Sequence, residues 1–282
     1  MKLLRVIAYV CLAAAACAGG TASARDRDAA LVLGDSVAFA FIDSAGHEYI
    51  NPGNFLGFAE DLEGMVRVES VDAGCPGETT GSFLSSTAAD NGCRAFRANF
   101  PLHVAYGGTQ LEFATQYLKR HRDVRLVTIT LGANDGFLLI DACATQPDPA
   151  ACVGAGLPAL LATVEGNMQS ILADLRATGF GGAIVITNYY ALDYSDKAAT
   201  GLTALLNGAL AAPAAAYGAV VADLFTAFKT ATAGPIFGGK SCNAGLLNAS
   251  VHNQLLCDVH PSQSGHRLIA QTIAHAFRAV DD

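Results

Sequence analysis

The sequence predicts an α/β protein, a three-layer sandwich around a central parallel sheet of about five strands. Three observations lead there. Short runs rich in β-branched residues alternate with longer helical patterns along the chain, the signature of β-α-β units with right-handed crossovers. The first strand run is apolar throughout, as a strand covered on both faces must be. Polar or glycine-rich stops follow several strand runs, and they should gather at the carboxyl edge of one sheet, where open α/β folds bind ligands.

Leu31, Val32 and Leu33 form the first strand and stop at Gly34-Asp35-Ser36. A serine there is either the cap of a following helix or a nucleophile. Further strands are expected at 66–71, 125–131, 183–187 and 219–222. Helical spacing marks 56–62, 109–121, 157–178, 203–217 and 262–280. The Ala/Gly-rich stretch at 202–219 belongs to this helical set, because Leu205, Leu206 and Leu210 recur on one face. The stops after strands are DAGCPGETT at 72–80 and LGANDG at 131–136, with CDVHPS at 257–262 before the last helix.

The amino terminus has Lys2 and Arg5, an apolar core and an A-x-A ending at Ala24, so residues 1–24 read as a secretory signal peptide and 25–282 as one domain. Acylation of Cys17 is the competing reading, a lipid-anchored protein rather than a secreted or periplasmic one. No later stretch reads as long and apolar enough to span a bilayer. The formal charge of −8 becomes −10 without the leader, 15 bases against 25 acids, which disfavours nucleic acid and anionic membranes as partners. A monomer is favoured. Six of eight cysteines remain after the leader. In an exported chain they are expected to pair, and the sequential pairing Cys75–Cys93, Cys143–Cys152 and Cys242–Cys257 closes three local loops. No cysteine or histidine grouping has zinc spacing, so no metal or other cofactor is expected.

A serine hydroxyl becomes a nucleophile when a base takes its proton and a carboxylate orients that base. His260 and Asp258 supply both from one short segment, with Pro261 suited to the first turn of the final helix. A tetrahedral intermediate also needs donors for its oxyanion. The Ser36 N–H, the Gly77 N–H and the Asn134 amide would be three, from three loops.

Gly34-Asp35-Ser36, Gly77 before Glu78-Thr79, Gly132-Ala133-Asn134-Asp135 and Asp258-Val259-His260 resemble, in this order, the four sequence blocks of the SGNH (GDSL-type) hydrolases. The blocks span residues 34–260. The resemblance implies a flavodoxin-like α/β/α fold and metal-free esterase, lipase or related acyl-hydrolase activity. It implies Ser36 as nucleophile, His260 as base, Asp258 as its orienting acid, and Ser36, Gly77 and Asn134 as oxyanion donors. Val37 replaces the family's leucine, Asp72 stands where asparagine is common, and Cys75-Pro76 makes the second block atypical; Gly77 is preferred to Gly74 because Glu78-Thr79 follows it.

GPIFGGKS at 234–241 matches a phosphate-binding loop pattern, but no apolar strand precedes it and no convincing helix follows. Asp35 and Asp135 read as loop-bracing carboxylates rather than a glycosidase pair. Phe137, Leu138, Leu139, Ile140, Tyr189, Tyr190 and Leu192 either line an acyl pocket or belong to the core. The leading reading is an exported serine esterase or lipase acting on a small-molecule or lipid ester. A carbohydrate deacetylase on the same triad and a non-catalytic binding module on a hydrolase scaffold are the alternatives.

Overall fold

The structure is a computed structural model that describes residues 28–250 and 257–281. The expected leader and Cys17 lie outside the described residues. Five strands, β1 (Asp28–Gly34), β2 (Val68–Asp72), β3 (Val124–Thr130), β4 (Ala183–Thr187) and β5 (Ala219–Ala222), pair in the order β2-β1-β3-β4-β5. All four pairings are parallel, with Leu31 beside both Val71 and Val127. This is the flavodoxin-like order, with the direction of winding reversing between β1 and β3.

Helices cover both faces. Helix α1 (Phe58–Val66) packs on α9 (Gln263–Asp281), and α8 (Leu224–Ala231) lies beside α9. On the other side α6 (Pro149–Ala177) packs against α2 (Thr80–Leu84), α4 (Gln110–Arg120), α5 (Ala133–Cys143) and α7 (Lys197–Ala211). The short helix α3 (Cys93–Asn99) carries Phe96 against the aromatic cluster of Phe39, Phe41 and Tyr49. Local chemistry starts these helices. Thr109 and Glu112 form a reciprocal cap on α4, and Asp148, Asp196 and Asp223 cap α6, α7 and α8.

The central strands are apolar on both faces because helices lie above and below. Leu31, Leu33, Leu126 and Ile129 are sealed between Ile171, Leu172 and Leu175 of α6 and Ile269 and Ile273 of α9 in one core. Each such side chain contributes roughly 1.5–3 kcal/mol through burial. Ile171→Ala would leave a cavity costing about 2–5 kcal/mol.

The differences from expectation are local. Helix α6 begins eight residues before the expected start at 157 and runs through Pro158, because the Asp148 cap and Pro149 in the first turn nucleate it upstream. Helices α2, α3, α5 and α8 were not expected. They are short or follow a strand within a few residues, so they carry little periodicity. The segment at 257–262 is a strand: β7 (Cys257–Pro261) pairs antiparallel with β6 (Leu247–Ala249), held by the Cys242–Cys257 disulfide. Pro261 therefore ends a strand, and Ser262 caps α9 with its Oγ accepting from the Gly265 N–H at 3.2 Å. Contrary to expectation, α6 and the segment 197–217 are long and apolar enough to cross a membrane by length and composition. In the fold, Val164, Met168, Ile171, Leu172 and Leu175 of α6 and Leu210 of α7 are core residues, so packing accounts for part of that hydrophobicity.

Candidate active site

The carboxyl ends of β1, β2 and β3 deliver three loops to one edge. After β1, Asp35 donates its N–H to the Thr130 carbonyl at 3.0 Å, and the chain turns so that Ser36 points out of the sheet. Gly34 permits this turn: its φ is +146° and a Cβ would lie 2.3 Å from the Thr130 oxygen. A short run of turns follows, with the Phe39 N–H donating to the Asp35 carbonyl at 3.1 Å and the Phe41 N–H to the Ser36 carbonyl at 2.9 Å. Ser36 therefore does not begin a helix, because Ala40 at φ +59° breaks the turn.

His260 Nε2 lies 3.0 Å from Ser36 Oγ, and His260 Nδ1 lies 2.7 Å from Asp258 Oδ2. An extended strand makes the second contact possible, since residues two apart in β7 project to the same side. Tyr190 donates its hydroxyl to the Val259 carbonyl at 2.7 Å, and the Phe41 ring lies 5.0 Å from the imidazole. Burial pushes the Asp258 carboxyl up, but the bond from His260 and the Val259 and Asp43 N–H groups outweigh it and hold it below the usual range. It thus stays ionised beside His260.

Gly77 and Asn134 line the same cavity as Ser36. Gly77 sits at φ +89°, where a Cβ would meet the Asn91 carbonyl oxygen at 2.3 Å. Gly74, the other glycine of that loop, already donates its N–H to Asp72 Oδ1 at 2.7 Å. Asn134 is the second residue of α5. Its amide donates to the Glu78 carbonyl at 3.0 Å, while its Oδ1 accepts from Asn91 Nδ2 at 2.9 Å. Among the described residues one amide hydrogen remains uncommitted, and the bond to the Glu78 carbonyl fixes which end of the amide is the donor.

A buried polar lattice holds the three loops together. Gln110 accepts the Gly34 N–H at 2.6 Å and donates to the Gly34 carbonyl at 3.0 Å and to Glu78 at 3.2 Å. Burial raises Glu78 to about 7, opposed by Ser82 and Gln110. It also raises Asp35 to about 6, opposed by the Tyr189 hydroxyl and the Val37 N–H. Asp135 is likewise raised by burial while it accepts from the Thr80 hydroxyl at 2.6 Å and N–H at 2.9 Å. Asp35 and Asp135 are thus bound to loops. Sequence reading missed Asn91, Gln110, Phe41 and the role of α6, since none of them falls in a motif.

The cavity measures about 970 Å³. Phe137, Leu139, Ile140, Tyr189, Tyr190 and Leu192 line it, joined by Leu157 and Leu160 of α6 and Leu202 and Leu206 of α7; Leu138 is not in its lining. The disulfides are Cys75–Cys93, Cys143–Cys152 and Cys242–Cys257. The first brackets the Gly77 loop and the second joins α5 to the start of α6. Among the described residues one grouping, Cys75, Glu78 and Cys93, has metal-ligand spacing, and its sulfurs are bonded to each other. Residues 234–241 are turns rather than a loop between strand and helix, with Lys240 paired to Asp193 at 3.9 Å.

The sequence pattern of the GDSL-like Lipase/Acylhydrolase family matches residues 32–268. The chain belongs to this family. As a GDSL-family protein it is an ester-hydrolysing enzyme. No curated protein matches it in sequence. Among solved structures, phospholipase A1 from Streptomyces albidoflavus superposes with a TM-score of 0.58 at 18% identity, covering 89% of this chain and 99% of that one. An alpha/beta hydrolase enzyme from the metagenome of Lake Arreo, Spain, gives 0.57 at 16% identity, over 90% and 97%. An acetyl xylan esterase from Geobacillus stearothermophilus gives 0.53 at 15% identity, over 89% and 94%. At these identities the likeness is one of fold.

Proposed function

We propose that this hydrolase is an exported serine esterase or lipase that cleaves carboxylic esters with an apolar acyl chain through an acyl-enzyme. Ser36 Oγ attacks the ester carbonyl as His260 Nε2 takes its proton, and the Asp258 carboxylate stabilises the imidazolium. The oxyanion forms against the Ser36 and Gly77 N–H groups and the free amide hydrogen of Asn134. Collapse of the intermediate expels the alcohol, which takes the proton from His260. Water activated by the same histidine then frees the acid.

The observation that carries this reading is the continuous hydrogen-bonded line from Asp258 through His260 to Ser36 at the floor of an apolar cavity. An acetylated polysaccharide would find few polar partners along the Leu157, Leu160 and Leu206 wall, so an apolar ester is preferred. Three disulfides and the leader-like residues 1–24 support export, with 25–282 as one hydrolase domain. The test is hydrolysis of p-nitrophenyl esters from acetate upward by wild type and Ser36→Ala. Turnover rising with chain length and absent in the variant supports the reading; equal turnover by Ser36→Ala overturns it.

A further inference from the structure

The amino-terminal half of α6 is anomalous for a helix of a folded domain. Not one of residues 149–163 is buried, yet 149–164 contains no charged residue. Helix α7, packed beside it, has no charge from 198 to its end. Ile140, Leu192, Leu202 and Leu205 are 48, 45, 39 and 51% exposed. An amphipathic surface helix would present polar residues to water at such positions. Instead the apolar surface runs outward from the catalytic cavity. Ile140, Val153 and Leu202 line that cavity on one side and, on the other, a shallow apolar groove of about 370 Å³ floored by Ala150 and Gly154. A contiguous apolar patch of this kind marks an interaction site.

We propose that the face formed by α5, the first half of α6 and α7 docks on the uncharged surface of an ester aggregate, so that an acyl chain passes from the aggregate into the cavity without crossing water. The proposal rests on the esterase reading of the site. Two observations favour a lipid surface over a second copy of the chain. Phe137, Ile140, Leu192 and Leu202 are exposed on this patch and line the cavity that holds Ser36, so a partner copy seated there would cover that side of the cavity. The charged residues flanking the patch are mostly acids, Asp141, Asp148, Asp193 and Asp196 against Lys197 and Lys240, the latter paired with Asp193, and the whole chain carries −8, so anionic headgroups are repelled. Neutral or zwitterionic headgroups remain. Partition then follows the apolar area buried, as for a helix lying in an interface.

The test uses Ser36→Ala protein, which leaves the lipid intact, and sedimentation with phosphatidylcholine vesicles, with and without added phosphatidylglycerol. Binding to phosphatidylcholine that weakens as anionic lipid is added is expected. Adding Leu205→Glu and Ala150→Glu, both outside the catalytic cavity, is expected to lower partition at least about tenfold, because each charge must leave water. In the wild-type background the same pair is expected to leave hydrolysis of dissolved p-nitrophenyl acetate unchanged. Protein that stays in the supernatant overturns the proposal, as does equal binding by the charged pair. Gel filtration showing a dimer that Leu205→Glu dissociates would assign the face to a second copy and overturn it as well. Acetate hydrolysis without vesicle binding removes the docking surface alone, whereas loss of acetate hydrolysis in wild type removes the esterase reading itself.

Discussion

The two walls of the cavity are built from different materials. On the strand-end side, Asp35, Ser36, Gly77, Asn91 and Asn134 line the cavity, and behind them Gly34, Glu78, Gln110 and Asp135 are buried and hydrogen-bonded across the loops. On the helical side, Leu157, Leu160, Leu202 and Leu206 meet the cavity with apolar contacts, and one disulfide, Cys143–Cys152, ties α5 to α6. Hydrogen bonds are directional and costly to leave unmade, so the first wall holds atoms to fractions of an ångström. Apolar contact is non-directional and adjusts to what it covers. The first wall suits chemistry at a fixed point; the second suits selection of a chain.

The sharpest way to break this contrast is to remove the proposed nucleophile. Ser36→Ala is expected to lower kcat on the order of a millionfold, as for other serine triads, while melting temperature is retained. Retained turnover would relocate the chemistry. Next in size, Asn134→Ala is expected to lower kcat by about a hundredfold to a thousandfold with little change in KM, because that bond tightens in the transition state. Asn134→Asp should be at least as harmful. If Asn134 only braced its loop, the loss would instead accompany a lower melting temperature.

Asn91 tests whether the polar wall acts as one unit. Because Asn91 holds Asn134 Oδ1 at 2.9 Å, Asn91→Ala is expected to lower kcat by about tenfold in wild type and to add almost nothing in Asn134→Ala protein. Additive losses would separate the two. Across the cavity, Leu157→Ala and Leu206→Ala are expected to raise KM severalfold for long-chain p-nitrophenyl esters and to leave acetate kinetics unchanged. A fall in kcat for acetate would show that the apolar wall also positions the reacting atoms.

The smallest effect is on stability. Glu78 ionises near 7 when folded against about 4.5 in an open chain. Between those values the unfolded chain loses its proton first. The wild type is therefore expected to lose stability, on the order of 2 kcal/mol, as pH rises through that window, relative to Glu78→Gln. The comparison with the variant cancels His266, whose buried ring, held down near 4 by burial, works in the opposite direction. Parallel stability curves for the two proteins from acid to neutral pH would show that Glu78 is not buried as described.

The sequence alone determined the class of fold and pointed to the residues proposed to carry the chemistry. Alternating strand and helix periods require a parallel sheet, and the strand at 219–222 was readable to the residue because a β-branched run between glycine and aspartate admits few other structures. Ser36, Gly77, Asn134, Asp258 and His260 were legible as candidates because each sits in a short motif at a chain stop, and the fold brings them to one place. What surrounds them was not legible. Asn91 meets Asn134 across 43 positions and Gln110 meets Gly34 across 76, and pairings of that range leave no periodic trace in either segment. The turn after Ser36 and the β6–β7 hairpin also depended on distant partners, the Thr130 carbonyl in one case and the Cys242–Cys257 bond in the other. Likewise, the leucines of α6 have the same spacing whether they face the core or a cavity. Which of them do each was decided only by tertiary packing: Leu172 and Leu175 enter the core, whereas no residue from 149 to 163 is buried.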